Sequence, residues 1–264
     1  MDADDLLTRN TLESLYNYAE KYQVDVVSMN TYFYFHVDVY EPFPKILSRQ
    51  LGYSFKTPMP ILNPEIESDD PVTRIENLFK GKFWVPPWTK FSRRDLLIEK
   101  EIFFLDIRHG EDEFWTVHLV SEAKKILCIP ETFYIYRILP KSHSHVEHDA
   151  NFWITAFVGA AQAFCILRDK NKFLSDNPKI CYEVSKNLFI ERYLEPLCQK
   201  CFINLEPHEV FQTALKEFSN KLDTSSDNIA EICADLCAML DSKQKQLYLA
   251  TQRIAELEKS LSKN

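Results

Sequence analysis

Glycine is scarce, with four residues in 264. A glycine-rich loop that wraps a phosphate in backbone N–H groups has little to be built from, and the scarcity favours helices. An excess of basic charge is also lacking: Lys and Arg number 31 against 39 Asp and Glu, a net charge of −8. That balance argues against a nucleic-acid partner, since phosphate backbones are gripped by basic surfaces. No secretory leader is expected, because the chain opens on acidic residues with no apolar run behind them. The charge-free stretch from Asn151 to Leu167 is short for a membrane span. It contains Thr155 and Gln162 and is flanked by His148-Asp149 and Arg168-Asp169, so it reads as a buried helix. Cys198-x-x-Cys201 has no second such pair and no histidine pair at finger spacing. The seven cysteines read as core thiols suited to a reducing cytoplasm. With 45% hydrophobic and 27% charged residues, the rest describes an ordinary soluble globular protein of one large domain or two small ones.

The most informative residues present are the first five, Met1-Asp2-Ala3-Asp4-Asp5. An Asp-x-Asp cluster at a strand end holds a hard divalent cation through one or two carboxylates, leaving the other positions to phosphate oxygens and water. Acids ahead of a helix also stabilise its N-terminus, so the cluster by itself decides nothing. An EF-hand is excluded, because Leu6 and Leu7 stand where that loop needs a ligand and a glycine. Further along come Trp88-Thr89-Lys90-Phe91-Ser92-Arg93-Arg94-Asp95-Leu96-Leu97, then His109-Gly110-Glu111-Asp112-Glu113-Phe114. Tyr134-Ile135-Tyr136-Arg137 and Ser142-His143-Ser144-His145 follow.

In that order and spacing these segments resemble the second half of a family 2 glycosyltransferase of the GT-A fold. In that family an Asp-x-Asp-Asp element precedes a W-x-K-x-x-x-R-x-x-L stretch, a Glu-Asp pair and a Y-x-Y-R…S-x-S segment. The resemblance covers roughly residues 1–146 and implies an α/β chain: a partial, Rossmann-like nucleotide-sugar transferase domain. A helical extension over 147–225 and a terminal amphipathic helix over 226–264 would follow. The strands that bind the donor's base would precede Met1, which leaves open an internal methionine taken as a start.

The resemblance further implies a metal-dependent, inverting sugar transfer. Asp4 is the expected ligand of Mn²⁺ or Mg²⁺, with Asp2 beside it nearer the ribose and sugar, and His145 (or His143) completing the shell. Asp112 of the Glu111-Asp112 pair is the expected general base; repulsion from Glu111 and Glu113 would raise its proton affinity and His109 would oppose that. Acids decorating a helix N-terminus are the plain alternative. Lys90 and Arg137 are cations at motif positions, able to offset phosphate charge or to hold the acidic cluster by an ion pair. Trp88 reads as a packing or sugar-stacking platform, and Asp5 as the cap of the following helix. The implied partners are a nucleotide-sugar donor, UDP-sugar by default, and a cell-surface glycan or lipid-linked glycan acceptor. The work would be cytoplasmic, with possible peripheral association at the inner face of the plasma membrane. Two other classes remain: a metal-free glycosidase, against which the Asp-x-Asp spacing argues, and a non-catalytic scaffold built on a shortened domain.

Periodicity along the chain predicts a helix over 8–22, strands over 24–29 and 32–40, and a proline-broken stretch over 41–70. A helix over 72–79 follows, then one running on from Phe91 through Arg94 and Leu97, and one over 112–124. Strands are predicted over 126–129 and 132–137, then helices over 151–169, 178–202, 207–221 and 227–262. In the last, Leu240, Leu247, Ile254 and Leu261 are seven apart, with Leu236, Ala250 and Leu257 at d-like places. Lys243 breaks the seam, leaving a short coiled coil between protomers as one option beside docking on the chain's own helices.

Overall fold

The computed structural model describes residues 2, 5–36, 52–54, 61–82, 85–107, 110–138, 150–185 and 187–188. Asp4, His109, His143, His145, Cys198, Cys201 and the helices expected over 207–221 and 227–262 lie outside them.

Two four-stranded sheets are described. In the first, β5 (Glu65–Ile66), β7 (Ile126–Ile129), β2 (Val26–Met29) and β6 (Lys90–Ser92) lie side by side. The parallel pair β2–β7 forms its centre, with Val26 opposite Ile126 and Met29 opposite Ile129, and antiparallel strands close both edges. Every residue of β2 and β7 is buried, as a parallel pair covered on both faces requires. Alternation along the strands divides them between two cores. Val26, Ile126 and Cys128 face a largely aliphatic one. Val27, Met29, Leu127 and Ile129 face one rimmed with aromatic rings.

The second sheet has the order β1 (Leu6–Leu7), β8 (Tyr134–Ile138), β3 (Tyr32–His36), β4 (Gly52–Ser54). Its parallel pair, β3–β8, continues the chains of β2 and β7 but in a shifted register, with Phe33 now opposite Ile135. The link after β7 is therefore two residues longer than the link after β2. The slack is taken up where Thr31 and Thr132 join their hydroxyls and Thr31 Oγ1 donates to Pro130 O at 3.4 Å.

Helix α1 (Thr11–Tyr22) covers the aromatic core with Leu15 and Ala19. It starts three residues later than periodicity predicts. Leu6 and Leu7 are spent on pairing with β8, and Thr8 Oγ1 and Thr11 Oγ1 stitch the turn between. The helix is preceded by Asn10 in the left-handed region (φ 68°). Asp5 is thus not its cap, which corrects the expectation: strand β1 stands between that residue and the helix. Helix α2 (Pro71–Phe79) opens as its sequence advertises, with Asp70 accepting from the N–H groups of Val72 and Thr73 and proline in the first turn. From Phe91 the chain is strand before it is helix, because residues 90–92 pair with β2; helix α3 is confined to Arg94–Glu99.

Helix α4 (Glu111–Glu122) lies between the first sheet and the helices, and every residue from Glu113 to Ser121 is buried. Gly110, at φ 89°, turns the chain into it in a conformation that disfavours any side chain. Helices α5 (Ala150–Lys170), α6 (Lys172–Asp176) and α7 (Pro178–Ser185) join the aliphatic core through Phe152, Ala156, Ala160, Phe164, Leu174, Ile180 and Val184. Asn171 fastens them: its Oδ1 accepts from Leu174 N, and its Nδ2 donates to Ser121 Oγ of α4 at 2.6 Å. Among the described residues no helix is long and apolar enough to cross a membrane.

Candidate active site

The site lies where the aromatic edge of the sheets meets the head of α4. Tyr134 and Tyr136 sit two apart on β8 and so share a face. Trp88 stacks on both, with ring centroids 4.4 and 5.7 Å away and interplanar angles of 17° and 10°. Tyr32 of β3 meets Trp88 edge-on at 5.1 Å, completing a cluster of offset and T-shaped contacts. Trp88 is held in the short 3₁₀ turn Pro87–Thr89 and is only partly buried.

The start of the chain is tied to this cluster. Tyr134 Oη donates to Asp5 Oδ2 at 2.6 Å and accepts from the backbone N–H of Asp2 at 3.2 Å. The other Asp5 oxygen accepts from the Arg137 backbone N–H at 2.8 Å, and both Asp5 and Arg137 are buried. Burial, reinforced by the hydrogen bond to the Asp5 carboxylate, drives the Tyr134 phenol far above its ordinary range, so it stays protonated as a donor.

At the head of α4, Asp112 is surrounded by charge of its own sign. Burial first, then repulsion from Glu111, Glu113 and Asp2, raises its carboxyl to about 7; Lys90 opposes the rise. The like-charge contribution anticipated from Glu111 and Glu113 is present, but desolvation is the larger cause. Lys90 shows the complement: burial lowers its ammonium to about 7, against the attraction of Asp112. The residue as a whole keeps some exposure, while its Nζ end is enclosed. Nζ donates to Thr89 Oγ1 at 3.0 Å, Pro86 O at 3.2 Å and Val85 O at 3.5 Å.

Asp2, Lys90, Glu111 and Asp112 are therefore gathered at one place although more than a hundred residues separate the first from the last. Arg137 enters through its backbone, on the Asp5 side. Asp4 and His145 lie outside the described residues, and among the described residues no group of three or more His, Cys, Asp or Glu side chains could hold a metal ion. What sequence reasoning missed is Asp5 and Tyr134 as a joint. The signal was available in the Tyr-x-Tyr alternation, which sets two rings on one face, but nothing local to Asp5 announces a partner 129 residues away. Chemically, a carboxyl poised near neutrality beside a partly open aromatic surface suits proton transfer from a hydroxyl bound there.

This architecture is a mixed α/β fold of the GT-A-like glycosyltransferase type. The structure of S. aureus TarS 1-349 in complex with UDP-GlcNAc superposes with a TM-score of 0.52 at 17% identity, covering 83% of this chain and 55% of that one. A second crystal structure of S. aureus TarS 1-349 gives 0.50 at 16% identity, covering 83% and 53%. The chain thus spans about half the length of those structures. No protein-family model matches the sequence, and no curated protein does.

Proposed function

We propose that the chain carries the site of a metal-dependent, inverting glycosyltransferase that moves a sugar from a nucleotide-sugar to a cell-surface glycan acceptor. The observation that carries this reading is the Asp112 carboxyl, raised to about 7 at the partly buried head of α4 beside Asp2, within a GT-A-like fold. In the reading Asp112 takes the proton of the acceptor hydroxyl, and burial, reinforced by Glu111 and Glu113, keeps its proton affinity high enough to do so near neutral pH. Asp2 meets the donor's ribose and sugar, while Arg137 offsets phosphate charge. The Trp88–Tyr136 surface offers an apolar face to a sugar ring. Asp4, with Asp2 and His145, would hold Mn²⁺ or Mg²⁺, which supplies Lewis-acid stabilisation of the leaving diphosphate when bound. A UDP-sugar is the donor to test first, and the crystallised TarS complex with UDP-GlcNAc supports that choice. We place the reaction in the cytoplasm, at the inner face of the membrane that carries the acceptor.

Calorimetric titration of UDP with and without Mn²⁺, on the chain and on Asp4→Ala, tests the reading. Mn²⁺-dependent binding that disappears in Asp4→Ala supports it. Absence of any UDP binding favours a non-catalytic scaffold that has kept the fold.

A further inference from the structure

The two ends of Tyr134 are put to different uses. Its ring stacks on Trp88 at 4.4 Å, a contact that a phenylalanine would make as well. The hydroxyl is a separate device. One partner satisfies a buried phenol, yet this one engages both of its capacities. Tyr134 is buried, and its Oη donates to Asp5 Oδ2 at 2.6 Å while accepting from the Asp2 N–H at 3.2 Å. Asp2 and Asp5 stand three apart, and Asp5 N donates to Asp2 O at 3.3 Å, which closes a turn. The hydroxyl therefore bridges the two ends of that turn. One end is a firm anchor. Leu6 and Leu7 of β1 pair with Ile135 and Tyr134 of β8, and the buried Asp5 carboxylate carries the pairing one step further by accepting from the Arg137 N–H at 2.8 Å. The other end is exposed: Asp2 reaches solvent, and its backbone is tied to the sheet through Tyr134 and Asp5. An exposed acid held by its main chain on a buried oxygen has its place fixed and its carboxylate left outside the clamp. That is the arrangement a group needs if it is to meet a bound molecule in one geometry.

We propose that Tyr134 is a positioning residue for the donor: its hydroxyl clamps Asp2 to Asp5 while its ring carries Trp88, so that the acid nearer the donor and the aromatic surface beside it keep one fixed spacing. This rests on the reading of Asp2 as the acid that meets the donor's ribose and sugar. Asp5 is the anchor of the clamp, since both of its carboxylate oxygens are engaged within the fold. The ring and the hydroxyl can be separated by experiment, because phenylalanine retains the first and lacks the second.

The test compares the unaltered chain with Tyr134→Phe. In NMR relaxation the Asp2 N–H is expected to be rigid in the unaltered chain, with an order parameter of about 0.85, and to fall below about 0.6 in Tyr134→Phe. Calorimetric titration with UDP in the presence of Mn²⁺ is expected to show about tenfold weaker binding in Tyr134→Phe. Asn171→Ala, which unfastens the helices at the other end of α4, is the control for lost stability and should move neither readout. The proposal is overturned by an Asp2 N–H of the same mobility in the chain and in Tyr134→Phe, or by equal UDP affinity in the two. Should Tyr134→Phe not fold, Asp5→Asn takes its place. Its carboxamide removes the charged acceptor, and both readouts are expected to move in the same direction, the affinity by about threefold; neither moving overturns the proposal equally. Absence of UDP binding in the unaltered chain removes the donor reading and with it the part given to Tyr134 there, while the order parameters still decide whether the clamp exists.

Discussion

Two lysines eight residues apart meet burial in opposite ways. Lys82 is bound directly by two carboxylates, Glu65 at 2.7 Å and the fully buried Glu67. Burial works against its charge, but the hydrogen bonds and charges of both acids outweigh it and the ammonium ends above its ordinary value. Lys90 Nζ is enclosed and donates to carbonyls and a hydroxyl, and for it burial outweighs the attraction of Asp112; it ends at about 7. The Lys82 ammonium keeps its proton across the neutral range. The Lys90 ammonium stands at the midpoint of its titration there. Where bonded carboxylates outweigh burial the ammonium stays charged, whereas burial that wins leaves a group able to change state, which is what acid–base chemistry demands.

The sharpest break in the contrast is expected at Asp112. On the proposed reading of Asp112 as the base, Asp112→Asn lowers UDP release from UDP-GlcNAc by about 10²- to 10⁴-fold, the scale of a lost general base. Next in size is the fastening. Glu67→Gln leaves Lys82 with one exposed partner and disturbs the bond from Asn77 Nδ2; a loss of about 3 kcal/mol in denaturant unfolding is expected, as for breaking a buried pair. Since the folded Lys82 holds its proton above the unfolded value, that contribution is present below about pH 10.5 and fades only as pH rises through the folded pKa.

Asp112 has the opposite sign. Its folded pKa lies above the unfolded one, so from about pH 4 to about pH 7 the folded chain keeps a proton that the unfolded chain has released. Stability falls through that window and stays lower above it. Asp112→Asn should therefore stabilise the chain at pH 8 by on the order of 1 kcal/mol and have no such effect at pH 3. A variant that unfolds more readily at pH 8 would contradict the assigned burial. Smallest is the exposed Lys80–Glu76 pair: Lys80→Ala should change stability by less than about 0.5 kcal/mol. Together the series separates acids that hold the fold from acids that the fold holds under strain.

Much of this could be read from the chain alone, and the parts that could not share a cause. Helices α2, α4 and α5 and strands β2 and β7 fall close to their predicted places, because each carries its own signal: a proline start, an acidic first turn, or a run of apolar residues. Strands β1 and β6 are two and three residues long and exist only through pairing with β8 and β2, so no local pattern reveals them. The same holds at the site. Asp112 is legible from its acidic neighbours. Its burial and the approach of Asp2 and Lys90 are properties of the closed fold, and Asp5 was misread as a cap because its partners lie across the sheet.

The two extra residues between β7 and β8 carry a rule for how this chain can vary. Side chains alternate across a strand, so losing or gaining one residue in that link would turn β8 over. Tyr134, Tyr136 and the stack on Trp88 would then face the wrong side, whereas a change of two residues would restore them. Length variation at this joint is accordingly governed by parity: even steps preserve the site, and odd ones dismantle it while leaving both flanking strands intact.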